Sequence, residues 1–149
     1  MLKPFLIFLH FSSIIIWVGG MFFAYYCLRP AAAELLDPPK RLPLWVATFD
    51  RFFRFTAIAV TLILISGFAM FIQNGLQGSP IGWVVMMSLG LVMTLIFCYV
   101  YFVLYARLRK HCSVSAWPPA ALVLNNIRQL VGINLVLAVC TVLAAVSAR

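Results

Sequence analysis

Acidic side chains are almost missing from this chain. Glu34, Asp37 and Asp50 are its three carboxylates, all before residue 51, so no carboxylate pair stands deeper in the chain for general acid–base work. Histidine is as scarce, with His10 and His111 alone, and the four cysteines (Cys27, Cys98, Cys112, Cys140) show no CxxC spacing. Together these absences leave no zinc spacing and no Ser/His/Asp set. The sequence also has no glycine-rich phosphate loop, internal repeat or low-complexity tract. Charge of either sign amounts to 9% of residues, against about 25% in soluble domains. A chain that is 65% hydrophobic needs lipid as its solvent.

Four uncharged runs supply the fold: Pro4–Leu28, Phe55–Ile72, Ile81–Ala106 and Leu130–Ala148. At about 1.5 Å per residue each can cross a hydrocarbon core of roughly 30 Å. Backbone groups in lipid must bond within their own segment. The expected class is therefore all-α, an integral-membrane antiparallel four-helix bundle in one domain over residues 1–149. Its helices are expected near 4–28, 44–73, 81–107 and 119–148. The first run is too long for the apolar core of a signal peptide, which makes it a membrane helix.

Net charge is +8, and the eleven Lys and Arg are partitioned by loop. Five (Arg29, Lys40, Arg41, Arg51, Arg54) lie between the first two runs and four (Arg107, Arg109, Lys110, Arg128) between the last two. The termini carry Lys3 and Arg149, and the connection from Gln73 to Pro80 carries none. By the positive-inside bias the first and third loops are cytoplasmic and both termini face outward. This pattern explains the basic charge by the lipid bilayer, with no nucleic acid as partner. No cysteine then lies in the outer aqueous phase, so no disulfide framework is expected.

Several local signals refine the picture. Arg29-Pro30 opens a short segment, Ala31 to Leu36, that Asp37-Pro38-Pro39 breaks. From Leu44 the pattern is helical, with Trp45, Phe49, Phe52 and Phe53 on one side. Ser66-Gly67 offers a small patch for close approach of another helix. Gly75, Gly78 and Pro80 mark the outward turn, and Trp117-Pro118-Pro119 the start of the last helix.

His10 is the residue around which chemistry can be built. An imidazole in an apolar span is costly unless it faces a partner or a cavity. His10, Ser13, Trp17, Gly20 and Met21 share one stripe by i, i+3, i+4, i+7 spacing, so that stripe should face other helices. Depth counting puts Met70, Met86 and Met87 within a few Å of the level of His10. Imidazole plus thioether suits copper, above all Cu(I). Met21, Met93 and Cys140 lie deeper and are expected as packing residues. A second polar cluster, Asp50, Arg54, Asn125 and Arg128, stands at the inner boundary. It is either interfacial snorkelling or a basic pocket for an anionic headgroup, a propionate or a partner.

The pattern Leu9-His10-x6-Trp17-x-Gly19-Gly20 followed by Arg29-Pro30 resembles the CopD-like copper resistance family of bacterial inner-membrane proteins. Arg51-Phe52-Phe53-Arg54-Phe55 leading to Ser66-Gly67, and the stretch Ile127 to Asn134, look like that family too. The resemblance implies copper handling, including uptake across the inner membrane, often with a periplasmic copper-binding protein as partner. The His-x6-Trp signature is also similar to the membrane-type protoporphyrinogen IX oxidase, a heme-associated enzyme. That family continues with a second histidine after its first helix and a lysine in its third. Here the corresponding stretches read Tyr26-Cys27-Leu28 and a lysine-free Ile81–Ala106.

The expectation is a multi-pass protein of copper homeostasis, more a carrier than an enzyme, that binds or passes copper through His10, Met70, Met86 and Met87. The alternatives are a redox protein holding heme b on His10, or an accessory subunit without chemistry of its own. A homo-oligomer would let two His10 residues share one heme, because His111 lies at the opposite membrane face.

Overall fold

A computed structural model describes residues 2–74 and 81–147, with the side chain of Asn74 left aside. Among the described residues four helices make up the chain: α1 (Leu2–Leu35), α2 (Pro38–Asn74), α3 (Ile81–Ser113) and α4 (Trp117–Ser147). Each is long and apolar enough to cross a membrane. The turn expected at Gly75, Gly78 and Pro80 lies outside the described residues. No strand occurs among those described.

The helices outrun the uncharged segments, mainly at the arginine-rich end. The segment expected over Ala31–Leu36 is not separate, as the sequence suggested, but through Leu35 forms the last turns of α1. A proline in mid-helix removes one N–H and crowds the carbonyl four residues back. Directly ahead of Pro30 the chain is π-helical over Phe23–Leu28, and Arg29 N–H bonds the Ala24 carbonyl five residues back. That widened turn accommodates the proline without ending the helix.

The real break is short. Leu36 is extended, and the Asp37 carbonyl then accepts the N–H groups of Lys40 and Arg41 at 2.9 and 2.8 Å. Pro38 and Pro39 occupy the first turn of α2, where their missing N–H groups would have had no intrahelical partner.

A second π-helical stretch, Val100–Leu104, interrupts α3. Residues four apart drift around an ordinary helix, and a π turn unwinds that drift. Phe97, Tyr101 and Tyr105 thus stay on one stripe, with successive rings stacked at 5.8 and 6.4 Å. Phe53 of α2 meets all three edge-on at 5.2 to 5.9 Å, and Trp17 of α1 meets Phe97 at 6.0 Å. This aromatic knot ties three helices together.

Packing is pairwise: α1 lies along α2, and α3 along α4. The two hairpins join closely at the arginine-rich half, where the 105–113 segment of α3 reaches α2. Over Ile81–Tyr99, α3 packs on α4 instead, and a cavity opens between the hairpins. Asn134 of α4 secures its own hairpin by donating to the Met93 carbonyl at 3.3 Å. Ile15, Phe55, Ile65 and Leu95 point outward, as lipid-facing side chains do.

Candidate functional site

The stripe expected on α1 faces inward. Ser13, Trp17 and Met21 are buried, and the Phe52 ring lies where a Cβ on Gly20 would stand. His10, half-buried one turn above, has its partner on α2: Nδ1 lies 3.0 Å from Ser66 Oγ. Ser66 Oγ in turn lies 2.6 Å from the Leu62 carbonyl oxygen and 3.2 Å from that of Ile63.

The shortest of these distances assigns the Ser66 proton. An oxygen–oxygen separation of 2.6 Å requires a proton between the atoms, and Ser66 has one to give. With that proton committed to Leu62, Ser66 can only accept from the ring. In the neutral ring Nδ1 then carries the hydrogen and Nε2 is the nitrogen available to a metal. The ring lies beside Gly67, with Cε1 3.4 Å from where a Cβ would be, an ordinary contact distance. The Ser66-Gly67 patch expected from sequence is where α1 and α2 approach, and the group it receives is His10.

His10 lines a cavity of about 1210 Å3 between the two hairpins. Met70 of α2 and Met86 and Met87 of α3 line the same cavity, with Trp83 and Gly67. All four residues singled out by depth thus face one space. Met93 borders it too, and Met21 is buried in the core. Cys140 is exposed on α4 and not packed inside as expected of it from the sequence. No group of three or more His, Cys, Asp or Glu that could hold a metal exists among the described residues. Any metal chemistry here rests on one imidazole with thioethers.

The inner-boundary cluster divides in two. Asp50 and Arg54 pair at 2.6 Å on the surface of α2, and the Tyr105 hydroxyl lies 3.3 Å from the other Asp50 oxygen. Asn125 and Arg128 line a separate cavity of about 240 Å3, together with Arg29 and Arg41. His111 sits in the last turn of α3, at the arginine-rich end. It stands far along the bundle from His10.

Two features escaped the sequence. Ser66 was legible only as a small residue, because nothing in an i, i+4 pattern shows which hydroxyl another helix will meet. Arg29 and Arg41 read as flanking charges, and only the continuation of α1 and α2 past the apolar runs turns both toward Arg128.

Four membrane-length helices around a cavity lined by one imidazole and several thioethers define a multi-pass membrane bundle. The chain belongs to the CopD family: the family of copper resistance protein D matches residues 46–148. The matched region takes in Ser66, Met70, Met86, Met87 and Arg128, and begins after α1. No curated protein and no solved structure matches the chain.

Proposed function

We propose that this membrane protein of the copper resistance family binds copper in the cavity between its hairpins and passes it across the bacterial inner membrane. The observation that carries the reading is that His10, bonded to Ser66 through Nδ1, and Met70, Met86 and Met87 all line one cavity. Cu(I) is the species that imidazole and thioether ligands select. The nine-to-two charge partition supports an orientation with both termini periplasmic, so that the cavity opens toward the outer leaflet. A periplasmic copper-binding protein is the partner such an opening would serve.

The cavity is far larger than a bare ion needs, and this favours a second reading in which it holds heme b on His10. His111, at the other end of the bundle, does not supply the opposite axial ligand within one chain.

The test is cellular copper accumulation and metal stoichiometry of detergent-purified protein for His10→Ala, Met70→Leu and Met86→Leu. His10→Ala is expected to abolish copper-dependent behaviour and the methionine variants to weaken it in part. Copper accumulation by His10→Ala equal to the parent, with a Soret band in the purified parent, would transfer the site to heme. Parental accumulation without that band leaves the accessory-subunit reading.

A further inference from the structure

The second cavity has a composition that the copper reading does not use. Arg29 from α1, Arg41 from α2 and Arg128 from α4 line one space of about 240 Å3, and all three are half-buried. Tyr25 and Asn125 add polar groups to the rim, and Arg29 lies 5.6 Å over the Tyr25 ring. None of the three carboxylates lines the cavity. Asp50 is engaged by Arg54 and Tyr105, while Glu34 and Asp37 are exposed.

Three like charges around one small, partly desolvated space repel one another. Long side chains at a membrane boundary are free to snorkel outward, as Arg54 does with its side chain 72% exposed. Arg29, Arg41 and Arg128 turn inward instead. The space they surround needs negative charge, and guanidinium forks match phosphate oxygens in pairs. The walls beneath are Leu42, Trp45, Phe49 and Ile127, every one buried. An inorganic ion has no use for such walls, whereas an amphiphile does. The cavity also stands where the apolar runs of α1 and α4 end, at headgroup level.

We infer that this cavity binds the phosphate of an anionic phospholipid, with the headgroup among Arg29, Arg41 and Arg128 and the glycerol portion against Trp45 and Phe49. Three positive charges favour a doubly charged headgroup over a singly charged one. Basic pockets between membrane helices are known to take such headgroups. Because the lipid bridges α1, α2 and α4 at the end where the hairpins join, its binding should stabilise the bundle.

The experiment uses the delipidated full chain in neutral detergent, with thermal unfolding followed during separate titrations of cardiolipin, phosphatidylcholine and inorganic phosphate. Cardiolipin is expected to raise Tm saturably, and the other two to leave it unchanged at equal phosphorus. Arg128→Gln and Arg41→Gln should each weaken half-saturation by about tenfold, and Arg54→Gln should not. Equal protection by phosphatidylcholine, or equal weakening by Arg54→Gln, would overturn the site. Equal protection by inorganic phosphate would overturn the lipid assignment and leave a free-anion pocket. If one arginine variant does not fold, the other and the lipid selectivity of the unaltered chain still decide.

Discussion

At the scale of single residues, His10 shows what a sequence can and cannot disclose. An imidazole in an apolar run demands a partner, and that demand was legible from composition and depth alone. Which group answers it depends on how α1 and α2 register over more than fifty intervening residues, and no local pattern encodes that. Ser66 answers it here by accepting from Nδ1 at 3.0 Å while donating to Leu62. Partners behind a ligating histidine commonly contribute ten- to a hundredfold to metal affinity, on the order seen when they are removed. Ser66→Ala should therefore lower copper affinity by about tenfold or more while leaving the helices intact. Competition titration against a Cu(I) chelator would measure it, and an unchanged affinity would show that the tautomer is immaterial to binding.

At the scale of helices, the apolar runs marked where each span lies, but the ends were misjudged by as much as seven residues in α1. The runs report on lipid contact, whereas helix continuation beyond the membrane depends on capping and tertiary burial. Leu108 is an instance: it follows Arg107 in a polar stretch yet is fully buried against its neighbours. Glycines repeat the lesson. Gly19 and Gly20 are adjacent and alike in sequence, but a Cβ on Gly19 meets nothing while one on Gly20 would overlap the ring of Phe52. Gly20→Ala is expected to cost about 1–2 kcal/mol by overpacking. Gly19→Ala should be neutral or slightly stabilising, since alanine is the better helix former. Unfolding in detergent separates the pair, and equal effects would refute the α1–α2 contact at Phe52.

At the scale of the whole molecule, two hairpins are held together at one half and parted at the other. Lipid gives helices no hydrophobic reason to associate, so the join must rest on packing and polar contacts. The aromatic knot around Phe53 is one such contact, with edge-on rings on Phe97, Tyr101 and Tyr105 across the hairpin boundary. Each pair of this kind contributes about 0.5–1.5 kcal/mol beyond area burial. Removing all three with Phe53→Ala should destabilise the bundle by about 2 kcal/mol or more. Phe55 is two residues away but 65% exposed to the outside, and Phe55→Ala exchanges lipid contact for lipid contact at little cost. The expected result is a clear drop in Tm for Phe53→Ala and almost none for Phe55→Ala. The proposed copper site tells the two halves apart further. The His10–Ser66 bond lies within one hairpin, whereas Met86 and Met87 lie on the other. Loosening the knot should thus weaken binding by separating thioethers from imidazole, without disturbing the His10–Ser66 pair itself. A Phe53→Ala variant that keeps both its Tm and its copper affinity would mean that the hairpins are joined by something other than this knot.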